Sequence, residues 1–138
     1  MKIKRQHKFI VVCCLLFVFL VIIFKILNSG IDDTSKIETA ETFTTSELLF
    51  KLQNKQQKLE GFIEKAIEIE GEIKEITFQD GKYSLILKGD SEKTFILCEM
   101  QLNQKDAVVQ LEAGQNIKLK GILKGFLMDI ILLHCVII

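Results

Sequence analysis

FIVVCCLLFVFLVIIF, from Phe9 to Phe24, is an unbroken apolar run; Lys25 interrupts it, and Ile26 and Leu27 extend it. As a helix, residues 9–27 would rise about 28 Å at ~1.5 Å per residue, close to the roughly 30 Å hydrocarbon core of a bilayer, with Lys25 snorkelling at the far edge. A helix buried in a folded core would carry a polar stripe, and this run has none. The pattern predicts a transmembrane anchor over 9–27. Lys2, Lys4, Arg5 and Lys8 make residues 1–8 a basic flank, whereas Asp32, Asp33, Glu38 and Glu41 follow the run. The positive-inside rule then predicts a single-pass protein of the cytoplasmic membrane, with its N-terminus inside and its C-terminal domain outside. LNSGI lacks an A-x-A-like cleavage pattern, which favours an uncleaved anchor over a signal peptide. Cys13 and Cys14 sit too early, after large Val11 and Val12, for a lipid attachment site.

Residues 28–43, NSGIDDTSKIETAETF, hold no sustained apolar period and are expected to form a tether. A folded domain is predicted over 44–138. Thr44 stands three residues before Glu47, the spacing of a capping box, and Leu48, Leu49, Leu52 and Leu59 follow a helical repeat. A helix broken near Asn54 and stopped at Gly61 is expected. Beyond Phe62 the period becomes two: Ile67, Ile69 and Ile73 alternate with Glu68, Glu70, Glu72 and Lys74, as in a half-buried strand. The parity then slips to Ile76 and Phe78, which requires one extra residue near Lys74 and Glu75 or strong coiling at Gly71.

Asp80-Gly81 supplies a hairpin turn before a second strand, YSLILKG. KTFILCEM and QNIKLKGILKG give two more, separated by a short helix in which Leu102, Ala107, Val108 and Leu111 keep helical spacing. The closing FLMDIILLHCVII would reach only about 20 Å as a helix, too short for a bilayer, and it carries Asp129 and His134. As a strand it is apolar on both parities, with Met128, Ile130 and Leu132 on one side and Ile131, Leu133 and Cys135 on the other. A fifth strand covered on both faces is expected.

Charge narrows the function classes. The chain balances 18 Lys and Arg against 18 Asp and Glu, so no global field selects nucleic acid or an acidic partner. From residue 65 to 138, nine lysines face eleven acids, a net charge of −2 that does not suit phosphate binding.

The order of elements is that of the OB-fold, a five-stranded Greek-key barrel with a helix between its third and fourth strands. More specifically, residues 46–138 resemble the tRNA_anti-like family, an uncharacterised bacterial OB-fold domain. The resemblance lies in TSELLFKL as leading helix, EKAIEIEGEIKEI with Gly71, FILCEM with Cys98, LEAGQNIKLKGILKG with Gly114 and Gly121, and LLHCVII with Cys135. It implies a mainly β domain, with the barrel over 65–138, behind one transmembrane helix. It also implies that the third and fifth strands lie side by side, so that Cys98 and Cys135 either meet as a disulfide or stay buried as free thiols.

No acid, base and nucleophile set can be assembled around His134, and no C-x-x-C or paired-His spacing offers a metal site. Glu68, Glu70 and Glu72 form a carboxylate row, but in an OB barrel they would oppose Lys118 and Lys120 on the fourth strand, which explains them as cross-strand pairs. Tyr83, Phe95 and Phe126, near Lys82, Lys88, Lys93 and Lys124, are the candidate ligand-binding residues; core packing is the competing fate of the two phenylalanines. The expectation is a membrane-anchored, extracytoplasmic, non-catalytic binding module without cofactor, taking a protein, glycan or small molecule of the envelope. The alternatives are a single-stranded nucleic-acid binder and a structural subunit of an envelope complex.

Overall fold

The computed structural model describes the chain except residues 1, 29–32, 55, 90–92 and 127. It forms two compact units, residues 1–32 and 33–138. The first is one helix, α1 (Lys2–Asn28), whose side chains are described from Val11 to Phe24. Leu15, Leu16, Phe17, Phe19, Leu20 and Phe24 are all more than half exposed, so the helix is apolar on every side. Those of the basic flank and of Lys25 lie outside the described residues. Among the described residues no helix is long and apolar enough to cross a membrane. Residues 11–24 rise about 21 Å, short of a roughly 30 Å core.

The second unit begins earlier than the expected boundary at 44, and the expected tether over 28–43 is corrected for its described residues 33–43. Thr34–Lys36 form a 3-10 turn, η1, and Glu41–Thr44 form a strand, β1. Asp33 caps η1 by accepting a hydrogen bond from the Ser35 N–H at 3.2 Å. Thr34 is fully buried, and its hydroxyl accepts from Gln101 Nε2 at 3.1 Å. β1 lies parallel to the strand starting at Ala66, with Phe43 opposite Ile69. Phe43 is the one buried side chain of β1 and meets Phe62 edge-on, ring centroids 5.6 Å apart. A polar tetrapeptide pairs here because one aromatic residue buries its face.

The capping box is in place. Thr44 N–H donates to Glu47 Oε2 at 2.8 Å, and Glu47 N–H donates to Thr44 Oγ1 at 3.2 Å, starting α2 (Thr45–Asn54). α3 (Gln56–Glu60) follows; the expected break near Asn54 falls at residue 55, which lies outside the described residues. Leu48, Leu49, Leu52 and Leu59 turn inward to the core.

The barrel consists of β2 (Ala66–Gln79), β3 (Lys82–Leu87), β4 (Ile96–Met100), β5 (Asn116–Phe126) and β6 (Ile130–Ile137). Strand order is β1-β2-β3-β4-β6-β5, and β2 also pairs with β5, closing the sheet on itself. β2 pairs with β5 over 66–72 and with β3 from Ile73 onward. A bulge lies between Ile73 and Glu75, where the parity slip called for an extra residue. Asp80 and Gly81 both take positive φ in the hairpin turn. Between β4 and β5 the helical segment reduces to a 3-10 turn, η2 (Leu102–Gln104), and α4 (Lys105–Val108).

β6 departs from its expected alternation. Leu132 pairs with Cys98 but Cys135 pairs with Met100, so β6 takes three residues where β4 takes two. His134, with φ 55°, sits in this irregularity. Leu132 and Cys135 consequently both face the core, although strict alternation puts them on opposite sides. Its outer side is covered only in part: Val136 is buried, while Ile131 is 39% exposed.

Two contacts give sharp tests. A Cβ on Gly71 would collide with Thr45 Cγ2, so Gly71 is what lets the start of α2 lie on β2. Gly71→Ala should destabilise the domain by about 1–3 kcal/mol, and Thr45→Ser, which removes the colliding methyl, should recover most of that loss in a double-mutant cycle of urea unfolding. Glu68 accepts from Thr39 Oγ1 at 2.7 Å, from Thr42 Oγ1 at 3.3 Å and pairs with Lys118 at 2.9 Å. The Thr39 hydroxyl foremost, then Lys118, holds its carboxyl below the usual carboxylate range. Its contribution is present above the unfolded-state carboxylate pKa and is lost as pH falls through the lower folded value. Glu68→Gln should cost about 1 kcal/mol at neutral pH, and the gap to the parent should close in acid, read by urea unfolding at both pH values.

Candidate functional site

Strands β3 and β4, and β6 up to Leu132, alternate between core and outside. Leu85, Leu87, Ile96, Cys98, Ile130 and Leu132 are fully buried, which turns Ser84, Ile86, Leu97, Glu99 and Ile131 to the outer face. Register then aligns them in rows. Glu75 is opposite Ile86, Ile86 opposite Leu97, Leu97 opposite Ile131, and Ile131 opposite Gly125. Three partly exposed branched side chains thus lie side by side across three strands, flanked by a carboxylate on one side and on the other by a glycine with open space where a side chain would stand. The next row pairs Ser84 with Glu99.

Phe95 extends the apolar patch along β4. Its N–H donates to Asp129 Oδ1 at 2.9 Å, and its carbonyl accepts from Ile130 N–H at 3.1 Å, which pins it beside β6. Lys74, the bulge residue of β2, places its ammonium 3.7 Å from the Phe95 ring centroid. The same bulge that keeps the barrel's parity therefore aims a cation at this face.

Of the seven sequence-based candidates, the structure brings together fewer than expected. Lys82 and Lys88 stand at opposite ends of β3, about 20 Å apart at ~3.3 Å per residue. Lys82 pairs with Glu99 at 2.8 Å, Lys88 with Glu72 at 3.7 Å and Lys124 with Glu64 at 2.6 Å. Tyr83 packs against Phe78 at the hairpin, ring centroids 4.6 Å apart, and Phe126 packs on the core. Lys93 is exposed in the segment between β3 and β4. Phe95 alone of the aromatic candidates joins the outer patch. Ile86, Leu97, Ile131 and Lys74 were not singled out by sequence. The available signal was an apolar residue at the outward parity of YSLILKG and FILCEM, where a solvated face should be polar.

Elsewhere the carboxylate row is structural. Glu70 lies opposite Lys118 and Glu68 opposite Lys120, but only Lys118 makes the ion pair, with Glu68. Lys120 is 7% exposed and donates to the Ser35 carbonyl at 3.4 Å, because η1 covers it. Among the described residues no cluster of three or more His, Cys, Asp or Glu could hold a metal ion. His134 is half-buried, and burial lowers its pKa, with Glu99 opposing and Lys124 and Lys82 reinforcing that shift. Cys98 and Cys135 are both fully buried free thiols, on the adjacent strands β4 and β6.

This architecture is similar to that of a candidate nucleic acid-binding lipoprotein from Klebsiella pneumoniae, at 14% identity over 80% of this chain and 99% of that one, TM-score 0.59. It is also similar to a chain of the Stn1-Ten1 complex of S. pombe, at 16% identity over 53% of this chain and 57% of that one, TM-score 0.43. No curated protein matches the sequence. The tRNA_anti-like family model matches residues 1–137, a wider span than the motifs between 46 and 138 that carry the resemblance. From α1 to the end of the barrel, the chain belongs to the tRNA_anti-like family.

Proposed function

We propose that the chain is a membrane-anchored, extracytoplasmic and non-catalytic binding module that takes its ligand on the outer face of β3, β4 and β6. The row Ile86–Leu97–Ile131 carries this reading: it is an apolar strip on the outside of a barrel, extended by Phe95. Lys82, Lys88 and Lys124, the cations that would otherwise attract phosphate, already face Glu99, Glu72 and Glu64. Such a face favours an envelope partner that presents apolar surface. The alternative is a single-stranded nucleic-acid binder, supported by the stacked aromatic and cation at Phe95 and by what the Klebsiella lipoprotein is described as binding. The net charge of −2 over 65–138 opposes it. A glycan, a small envelope molecule, or assembly into an envelope complex would use the same face.

Anchoring is supported by α1, apolar on all sides over its described side chains, and orientation by the basic residues before the run and the acidic ones after it. Cytoplasmic N-terminus and exported domain follow. A reporter active only outside the membrane, fused after Ile138, should be active, and neutralising Lys2, Lys4, Arg5 and Lys8 together should scramble it.

For the face itself, a photo-crosslinking side chain at Leu97 or Ile131 of the full chain in cells should give discrete adducts, and one at exposed Glu112 should not. Leu97→Lys should cut capture by an Ile131 probe about tenfold or more, since it removes one buried aliphatic contact. Adducts that contain nucleic acid, with oligonucleotide affinity falling steeply with salt, would establish the alternative instead.

A further inference from the structure

β4 and β6 are parallel neighbours, and the three-for-two step of β6 turns Cys135 inward on the side of Met100 and Cys98. Both thiols are fully buried in the core on these adjacent strands. Gly121 on β5 leaves the room for this: a Cβ there would fall 2.5 Å from Cys135 Sγ. The other two cysteines, Cys13 and Cys14, belong to α1.

We infer that Cys98 and Cys135 become a disulfide when the domain folds in an oxidising compartment, and that a barrel already closed around the two thiols cannot acquire it. The first half rests on the proposed export. In the reaction each thiol gives up a proton and the pair gives up two electrons as the Sγ–Sγ bond forms. A disulfide oxidant, glutathione disulfide or a thiol–disulfide oxidoreductase, accepts both and leaves as two thiols. The nucleophile must be a thiolate with access to that oxidant. In the closed barrel both cysteines are 0% exposed. Burial, with the Cys98 thiol second, also holds Cys135 well above the ordinary thiol pKa. Reaction is therefore confined to the time before β6, the last strand of the chain, docks between β4 and β5. The covalent state of this pair then records where the chain folded.

The test uses the full chain in detergent with Cys13→Ser and Cys14→Ser, so that only the pair is counted. Reduced, unfolded protein refolded in a glutathione redox buffer, then unfolded without reductant, should show no alkylatable thiol and a mass lower by the two hydrogens lost. It should also melt higher than its reduced form by on the order of 10 °C. Protein folded while reduced and then held in the same buffer should keep both thiols. Two alkylated cysteines in the refolded sample would refute the bridge, and equal loss of thiols in the pre-folded sample would refute the trap. Because this is done in vitro, a silent reporter after Ile138 would overturn export without touching either result.

Discussion

β2 must serve three neighbours. Its first half is flanked by β5 and β1, its second half by β3, and the exchange takes place where the bulge admits Lys74. A strand of 14 residues cannot stay flat and close a small barrel, so it has to bend, and an extra residue lets it bend without turning its apolar side outward. Ile67, Ile69 and Ile73 remain inside before the bulge, and Ile76 packs against the core after it. Gly71 allows the helix start to rest on the bent part. β3, β4 and β6 follow one another from the second half, so the outer face takes its position from this bend.

Much of that was legible in the chain. The capping box, the Asp80-Gly81 turn and the parity slip at Lys74 are local features, each written in a few adjacent residues. What escaped was non-local. ETFT reads as polar linker because its single aromatic, Phe43, finds its partners only across the fold at Phe62 and Ile69. The β6 irregularity is marked in IILLHCVI only by His134, at the parity of Ile130 and Leu132; the other residues are apolar on both parities, so a three-for-two step costs little burial. Lys120 looked like a solvated partner for the carboxylate row because nothing in sequence places Ser35 above it.

The candidate face shows the same division. Lysines and aromatics drew attention by type, and several of them are occupied: Lys82, Lys88 and Lys124 face carboxylates, and Phe126 packs on the core. Exposed ion pairs of this kind add little stability, yet they cancel the local field that would steer a polyanion. Ile86, Leu97 and Ile131 form a surface only once three strands are set in register. Their individual positions in apolar strands carry no hint that they share a face.

The parallel pairing of β1 gives the N-terminal entry of the domain a mechanical character. A load arriving at Asp33 first meets η1, held by Lys120 on the Ser35 carbonyl and by Gln101 on Thr34, and then a strand that runs the same way as its neighbour. Pulled along its axis, such a strand slides past β2 rather than peeling from it, so its hydrogen bonds resist together instead of breaking in turn. Tension is thereby spent on the lead-in segment while β3, on the other half of β2, stays unloaded.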